Sequence, residues 1–366
     1  MIPVRDIINA IEQFAPLPYQ ESYDNAGIQI GAGDSQTTGV LITLDVTEEV
    51  IAEAIARGCN MIVAHHPLIF SGLKRLTGRT YVERCVAMAI KNDILIYAAH
   101  TNLDNMRNGV NAKIAEKLGL VNTSVLAPLP SSLRKLYTYT PISAADAVRD
   151  ALFAAGAGHI GNYSECSFNT SGTGSFKPGD AANPAIGKAG GDREQITEIK
   201  IEVLVPTDKE QAVLQALRNT HPYEEVAYEI ISLQNTNQDI GAGMVGYLET
   251  EMDETAFLAF VKTTMKAGCI KHTPLRNRKI GKVAICGGAG SFLLKNAIQA
   301  EADIFITSDF KYHQFFDADG RIIIADIGHY ESEQYTTEIF ETILKKKFPN
   351  FAVLLSNIST NPVKYF

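Results

Sequence analysis

The chain has 366 residues, 46% hydrophobic and 20% charged, with a net charge of −8 and five cysteines. That length is enough for two or three domain cores, and the composition is that of a soluble globular protein rather than a disordered or fibrous one. The excess of acid, with no basic run longer than Lys345-Lys346-Lys347, argues against nucleic acid as a partner. No stretch approaches the roughly 20 apolar residues of a bilayer span, so no membrane role is expected.

Cys59, Cys85, Cys166, Cys269 and Cys286 stand singly, with no CxxC pair. This predicts a reducing, cytoplasmic setting and argues against both a disulfide framework and a thiolate zinc site. The amino end enters an amphipathic helix carrying Ile7, Ile8, Ile11 and Phe14, without the pattern of a signal peptide.

In chain order, Gly39 to Asp45 predicts a buried strand, Glu48 to Arg57 a helix and Met61 to Ala64 a second strand. A helix over Thr80 to Lys91, a strand over Ile94 to Ala98 and a helix over Val110 to Leu118 follow. Strands and helices alternating at this spacing predict an α/β layer with a largely parallel sheet. The middle differs in kind. Leu136 to Thr140 reads as a strand, Ala144 to Ala155 as a helix, Asn169 to Asp192 as a polar hairpin region, Ile199 to Val205 as a strand, Lys209 to Asn219 as a helix and Val226 to Leu233 as a last strand. That order, βαββαβ, is the ferredoxin-like arrangement of an α+β domain.

Beyond residue 240 the α/β alternation returns, with strands at Lys282 to Cys286, Ile304 to Thr307 and Ile322 to Ala325 and a helix from Ser332 to Lys347. The expectation is a discontinuous α/β catalytic unit in two similar halves, residues 1–126 and 239–366, interrupted by an inserted domain at 127–238. Pro128, Pro130 and the polar Gln234 to Asp239 serve as linkers.

Several of these strands end in groups that suit a metal. Met61-Ile62-Val63-Ala64 runs into His65-His66, His100 and Asp104 follow the strand over 94–98, and Ile322 to Ala325 leads to His329 and Glu333. Open α/β folds bind ligands along the edge where strands end. His329 and Glu333 stand four apart, on one face of a helix. A carboxylate can bridge two cations while imidazoles complete their shells, so His65, His66, Asp104, His329 and Glu333 suffice for a centre of two divalent ions, of Zn, Mn, Fe or Co type. The alternative for each histidine is a hydrogen-bonded core or rim residue, the role expected for His159, His221 and His272. His100 reads as a ligand, an outer partner or a proton shuttle, and His313 as an acid or a substrate contact. Gly287-Gly288-Ala289-Gly290-Ser291 reads either as a phosphate cradle at a strand-to-helix turn or as a tight turn needing small residues. Lys74, Arg75 and Arg79 read as a solvated loop or as a steering patch for an anion, and Asp24 as part of an Asx-type turn.

Four motifs together resemble the Nif-three-like family, whose members carry the label GTP cyclohydrolase 1 type 2 homologue. They are His65-His66-Pro67-Leu68-Ile69-Phe70, His100-Thr101-Asn102-Leu103-Asp104, Ser308-Asp309-Phe310-Lys311-Tyr312-His313 and Asp326-Ile327-Gly328-His329-Tyr330-Glu331-Ser332-Glu333. The middle segment, with His221-Pro222-Tyr223-Glu224-Glu225, is similar to the PII/CutA-like domain of longer members. Tyr23 and Ser308 depart from the Trp and Gly usual in the family.

The resemblance implies two metal ions, one held by His66 and Asp104, the other by His65 and His329, with Glu333 bridging. It also implies a toroidal homohexamer with the insert capping its openings. The label implies hydrolytic opening of the imidazole ring of GTP, with loss of formate and with His100 or His313 moving the proton. Hydrolysis of another phosphorylated or cyclic small molecule, or a metal-sensing adaptor role, are the alternatives.

Overall fold

Three apolar runs, Val40–Thr43, Met61–Ala64 and Leu95–Ala98, lie side by side and parallel in the computed structural model, which describes residues 1–366. Every residue in them is buried, as expected of strands covered on both faces. Val353–Leu355 extends this sheet in parallel on one side and Gly27–Ile30 closes it in antiparallel on the other. A second sheet, of six strands, runs in the order Lys271–His272, Ile323–Asp326, Ile304–Ser308, Lys279–Ala289, Gly241–Asp253, Val121–Pro128. Its parallel heart is Lys279–Ala289, Ile304–Ser308 and Ile323–Asp326. Both sheets belong to one compact unit, Met1–Leu129 with Gln238–Phe366.

Side chains that alternate along each strand divide among three cores. Val40, Ile42, Met61, Val63, Leu95 and Tyr97 of the first sheet share a core with Val283, Ile285, Ile304, Ile306, Ile323 and Ala325 of the second. The same core takes the apolar faces of the helices Val4–Phe14, Val110–Lys117, Glu254–Thr264 and Thr336–Lys347. The intervening residues Leu41, Ile62 and Ile96 face an outer layer formed by the helices Glu48–Ala56 and Tyr81–Lys91. Each of those helices is capped by a threonine: Thr47 Oγ1 accepts from Val50 N at 3.3 Å and Thr80 Oγ1 from Glu83 N at 3.2 Å. Ala284, Phe305 and Ile324 pack outward on the helix Leu294–Gln299.

The two outer segments are not self-contained halves. Val121–Pro128 comes from the first segment and pairs with Gly241–Asp253 in the second sheet, while Val353–Leu355 comes from the last segment and pairs with Val40–Thr43 in the first. Neither strand is evident in the sequence. Pro128 reads as a linker residue, but it sits at a strand end, where a missing N–H costs little. The helix expected from Ser332 to Lys347 is instead two, His329–Glu333 and Thr336–Lys347. Tyr335 lies at the break, its hydroxyl donating to Thr264 O at 2.7 Å.

The second compact unit is Pro130–Asn237. Its sheet is antiparallel, in the order Tyr228–Ser232, Leu133–Pro141, Glu194–Pro206, Ser167–Phe176, which is a split βαβ arrangement. The helices Ala145–Ala154 and Glu210–Thr220 bury Val148, Leu152, Val213 and Leu217 against Leu136, Ile201, Val203 and Val205. No helix of the chain is long and apolar enough to cross a membrane.

Candidate metal centre

The carboxyl ends of the parallel strands in both sheets meet in one place, and the loops leaving them carry the polar residues of the site. His65 and His66 follow Met61–Ala64. Both of their amides bond to Leu44 O, at 3.1 and 3.0 Å, so the chain turns there and brings the two rings within 4.9 Å. The helix Thr101–Asp104 delivers Asp104, and the helix His329–Glu333 delivers its two named ends. His65 is fully buried, as is nearly all of Glu333.

Glu333 stands at the middle. His66 Nε2 and His329 Nε2 lie 2.9 and 3.1 Å from Oε2, and 3.3 Å from each other. His65 Nε2 lies 3.8 Å from Oε1 and 3.5 Å from Asp104 Oδ1. The donors therefore group as His66, His329 and Glu333 on one side and His65, Asp104 and Glu333 on the other, each set close enough to hold a metal ion. This grouping differs from the pairing implied by the resemblance, His66 with Asp104 and His65 with His329. The cause is that His329 and Glu333 share one helical face, which sets the His329 ring beside Oε2 together with His66. His65 Nε2, Asp104 Oδ1 and Glu333 Oε2 are buried without a well-formed hydrogen bond. Polar atoms in that state are costly unless a cation completes them, so the donor set fits a metal.

Each histidine is aimed from behind. Nδ1 is occupied by Ala99 O in His65 at 2.9 Å, by Asp45 in His66 at 2.7 Å, by Asp309 in His329 at 2.6 Å and by Asp24 in His100 at 2.8 Å. Holding Nδ1 fixes the tautomer and turns Nε2 toward the centre, as outer partners of metal-bound imidazoles do. Asp24 also accepts from Thr101 N at 3.0 Å and from the Thr101 hydroxyl. It is an anchor for His100 rather than only a turn residue. His100 completes a third donor group with His65 and His66.

The first two amides of the glycine run are already engaged. Gly287 N donates to Asn111 Oδ1 at 3.0 Å and Gly288 N to Ser332 Oγ at 2.9 Å, so neither amide is free for an anion. Gly287, Gly288 and Ala289 end the strand Lys279–Ala289 instead of opening a helix. A Cβ on Gly288, whose φ is +62°, would collide with Glu333 Oε1 and come within 3.3 Å of His329 Cε1. The small residue lets the central carboxylate approach the backbone.

Burial disfavours the imidazolium forms, but the Glu333 carboxylate and the Asp45 hydrogen bond outweigh it and raise His66 to about 10. Glu333 and Asp309 likewise raise His329, to about 11. Burial works against ionised Glu333 as well, yet the surrounding imidazoles hold it well below the usual carboxylate range. Without metal, His66 and His329 are thus held as cations beside the Glu333 carboxylate. A group raised above its ordinary value of 6.5 stabilises the fold fully below that pH and loses its contribution as pH rises through 10 to 11. Glu333 contributes above its ordinary 4.5 and loses that only in strong acid. The melting advantage of metal-free wild type over Glu333→Gln is therefore expected to peak between about pH 4.5 and 6.5 and to shrink toward pH 10. Thermal denaturation across pH checks it, and an advantage that grows from pH 7 to 10 contradicts it.

His313 stands apart from the cluster. It is exposed and packs on the rings of Tyr312 and Phe316, with centroids 5.2 and 6.4 Å away. Lys74, Arg75 and Arg79 are exposed. Local pattern does not reveal the orienting roles of Asp45, Asp309 and Asp24. Its one signal is that Asp45 and Asp309 lie one or two residues past a strand end, the position of the metal-type donors themselves.

A family model described as Duf34/NIF3 (NGG1p interacting factor 3) matches residues 2–362. A Bacillus subtilis protein named GTP cyclohydrolase 1 type 2 homolog is 39% identical over 367 residues, covering 99% of this chain and 98% of its own. Its namesake from Halalkalibacterium halodurans is 40% identical over 365 residues, with 98% of each chain covered. Among solved structures, a Bacillus cereus protein related to NIF3 superposes over the whole of both chains with a TM-score of 0.85 at 38% identity. With the match running nearly end to end, the chain belongs to the DUF34/NIF3 family.

Proposed function

We propose that the first unit is a dinuclear metal-dependent hydrolase acting on a nucleotide-sized molecule. The observation that carries this is the division of donors about one buried carboxylate: His65, which also faces Asp104, lies toward Oε1, and His66 and His329 lie toward Oε2. Three imidazoles with two carboxylates suit Zn, Mn, Fe or Co rather than Ca or Mg. Two such ions supply a hydrolytic nucleophile at neutral pH and neutralise developing negative charge.

The chain's own groups do the rest. Asp45, Asp309 and Ala99 O keep three rings in the ligating tautomer. His100, held at Nδ1 by Asp24, keeps Nε2 for taking or delivering a proton beside the centre. A cavity of about 540 Å³ opens on His66, His100 and His329 and is lined by Phe70, Tyr330 and Tyr365, a size and surface that suit a ring-bearing ligand.

The name carried by the relatives makes GTP the first substrate to test, with hydrolytic opening of its imidazole ring and loss of formate. The reading extends to a cytoplasmic homohexamer, which native mass spectrometry would check, and to a PII/CutA-like role for the second unit, supported by its strand order. Metal-loaded protein is expected to release formate from GTP, and His100→Ala to slow this on the order of 100-fold or more, as loss of a positioned acid or base does. Loaded protein that leaves GTP intact sinks GTP as substrate. If, in addition, no phosphorylated or cyclic small molecule raises its melting temperature in a metal-dependent way, the hydrolase reading fails.

A further inference from the structure

The last eleven residues of the chain run along the centre just described. Val353–Leu355 anchors this tail in the first sheet, and Ser356 N continues the pairing to Ile42 O at 2.8 Å. Glu53 accepts from Ser356 Oγ at 2.5 Å and Asn357 N at 2.9 Å, which fixes the start of the tail. Further on, Asn361 Nδ2 and the Tyr365 hydroxyl donate to Glu331 Oε1, at 3.1 and 3.3 Å, and Glu331 is buried next to the cavity. The Tyr365 ring lies where a Cβ on Gly268 would collide with it, so a glycine leaves the tail its place. Asn361, Pro362, Val363 and Tyr365 form one wall of the 540 Å³ cavity.

Between these two anchor points stands Thr360. Its hydroxyl donates to Asp45 Oδ2 at 2.6 Å, and the other oxygen of the same carboxylate, Oδ1, accepts from His66 Nδ1 at 2.7 Å. Asp45 follows a strand end in a loop and has a rotatable side chain. A carboxylate that accepts one bond has two oxygens to offer and can swing. With both oxygens engaged, its plane is set, and with it the tilt of the His66 ring.

We propose that Thr360 is a positioning residue of the centre: the carboxyl-terminal tail reaches back across the fold and orients His66 through Asp45, so the site is complete only with the end of the chain in place. The metal part of this inference rests on the two-ion reading above, and the orientation part does not. Thr360→Val keeps the shape and removes the hydroxyl, and Thr360→Ser keeps the hydroxyl, while the anchors at Glu53 and Glu331 are untouched in both.

The test uses the full chain with ¹⁵N-labelled histidine. In metal-free protein, Thr360→Val is expected to shift the ring-nitrogen resonances of His66, identified by their loss in His66→Ala, and Thr360→Ser to restore them. In titrations with Zn²⁺ against a chromophoric chelator, Thr360→Val is expected to weaken one of two ions by on the order of 3- to 10-fold. That is less than the 10- to 100-fold typical of a partner bonded directly to a ligand, because Thr360 is one bond further out. Wild-type His66 resonances together with wild-type Zn²⁺ affinity in Thr360→Val overturn the inference and leave the two-ion reading standing. A wild type that takes no Zn²⁺, with His66 resonances that still move in Thr360→Val, supports the orienting role and removes the metal reading instead.

Discussion

Glu333→Gln is expected to reduce the protein from two bound ions to one or none, with the affinity for any remaining ion weakened by at least about 100-fold, beyond what loss of an outer partner does. The reason is geometric. Oε2 is 2.9 and 3.1 Å from His66 and His329, while Oε1 faces His65 at 3.8 Å, so one carboxylate serves both donor groups. An amide of the same shape offers one oxygen and no charge. Its NH₂ would point donors at one of the two groups, where the imidazole nitrogens must act as acceptors toward a cation. Glutamine keeps the shape, so metal is compared below the variant's lowered melting temperature, where both proteins are folded. Metal titration of the purified variant beside wild type decides it, and two ions bound at wild-type affinity would show that Glu333 does not bridge.

The second large effect is expected at a residue with no donor atom. Gly288→Ala should strip metal from the site and destabilise the fold by about 1–3 kcal/mol, the usual cost of holding a non-glycine residue in a strained backbone region. Gly288 has φ +62°, and its added Cβ would meet Glu333 Oε1 and His329 Cε1 together. Gly320 supplies the control: its φ is +65°, and a Cβ there would meet nothing within 4 Å. Gly320→Ala should therefore show the backbone strain alone and keep both ions. Equal metal content in the two variants, measured beside their melting temperatures, would mean that the close approach of Gly288 to the carboxylate is unimportant.

Much of this arrangement is written locally. The strands Met61–Ala64 and Ile323–Asp326 are short continuous apolar runs followed by polar donors, and that pattern alone brings out His65, His66, His329 and Glu333. Their convergence on one point follows from parallel strands ending on the same side of two sheets. What local pattern does not carry is the grouping of partners across long separations. Thr360 and Asp45 are 315 residues apart, and nothing in either neighbourhood indicates the other. The glycine run has the composition of an anion cradle, and nothing in it indicates that the distant Asn111 and Ser332 take its first two amides. The exchanged strands were hidden for different reasons: Val353–Leu355 has only three residues, and Val121–Pro128 ends among prolines that resemble a linker. His313 illustrates the converse, since its place in a motif says nothing about where its ring points, and in the fold it is exposed beside Phe316.

In the proposed centre Glu333 joins two metal ions. Its most direct test is elemental analysis of untagged wild-type protein after incubation with Zn, Mn or Fe and removal of the free ion. Two ions per chain are predicted for at least one of these metals. No retained metal with any of them would leave Glu333 in buried ion pairs with His66 and His329 and contradict a two-ion centre.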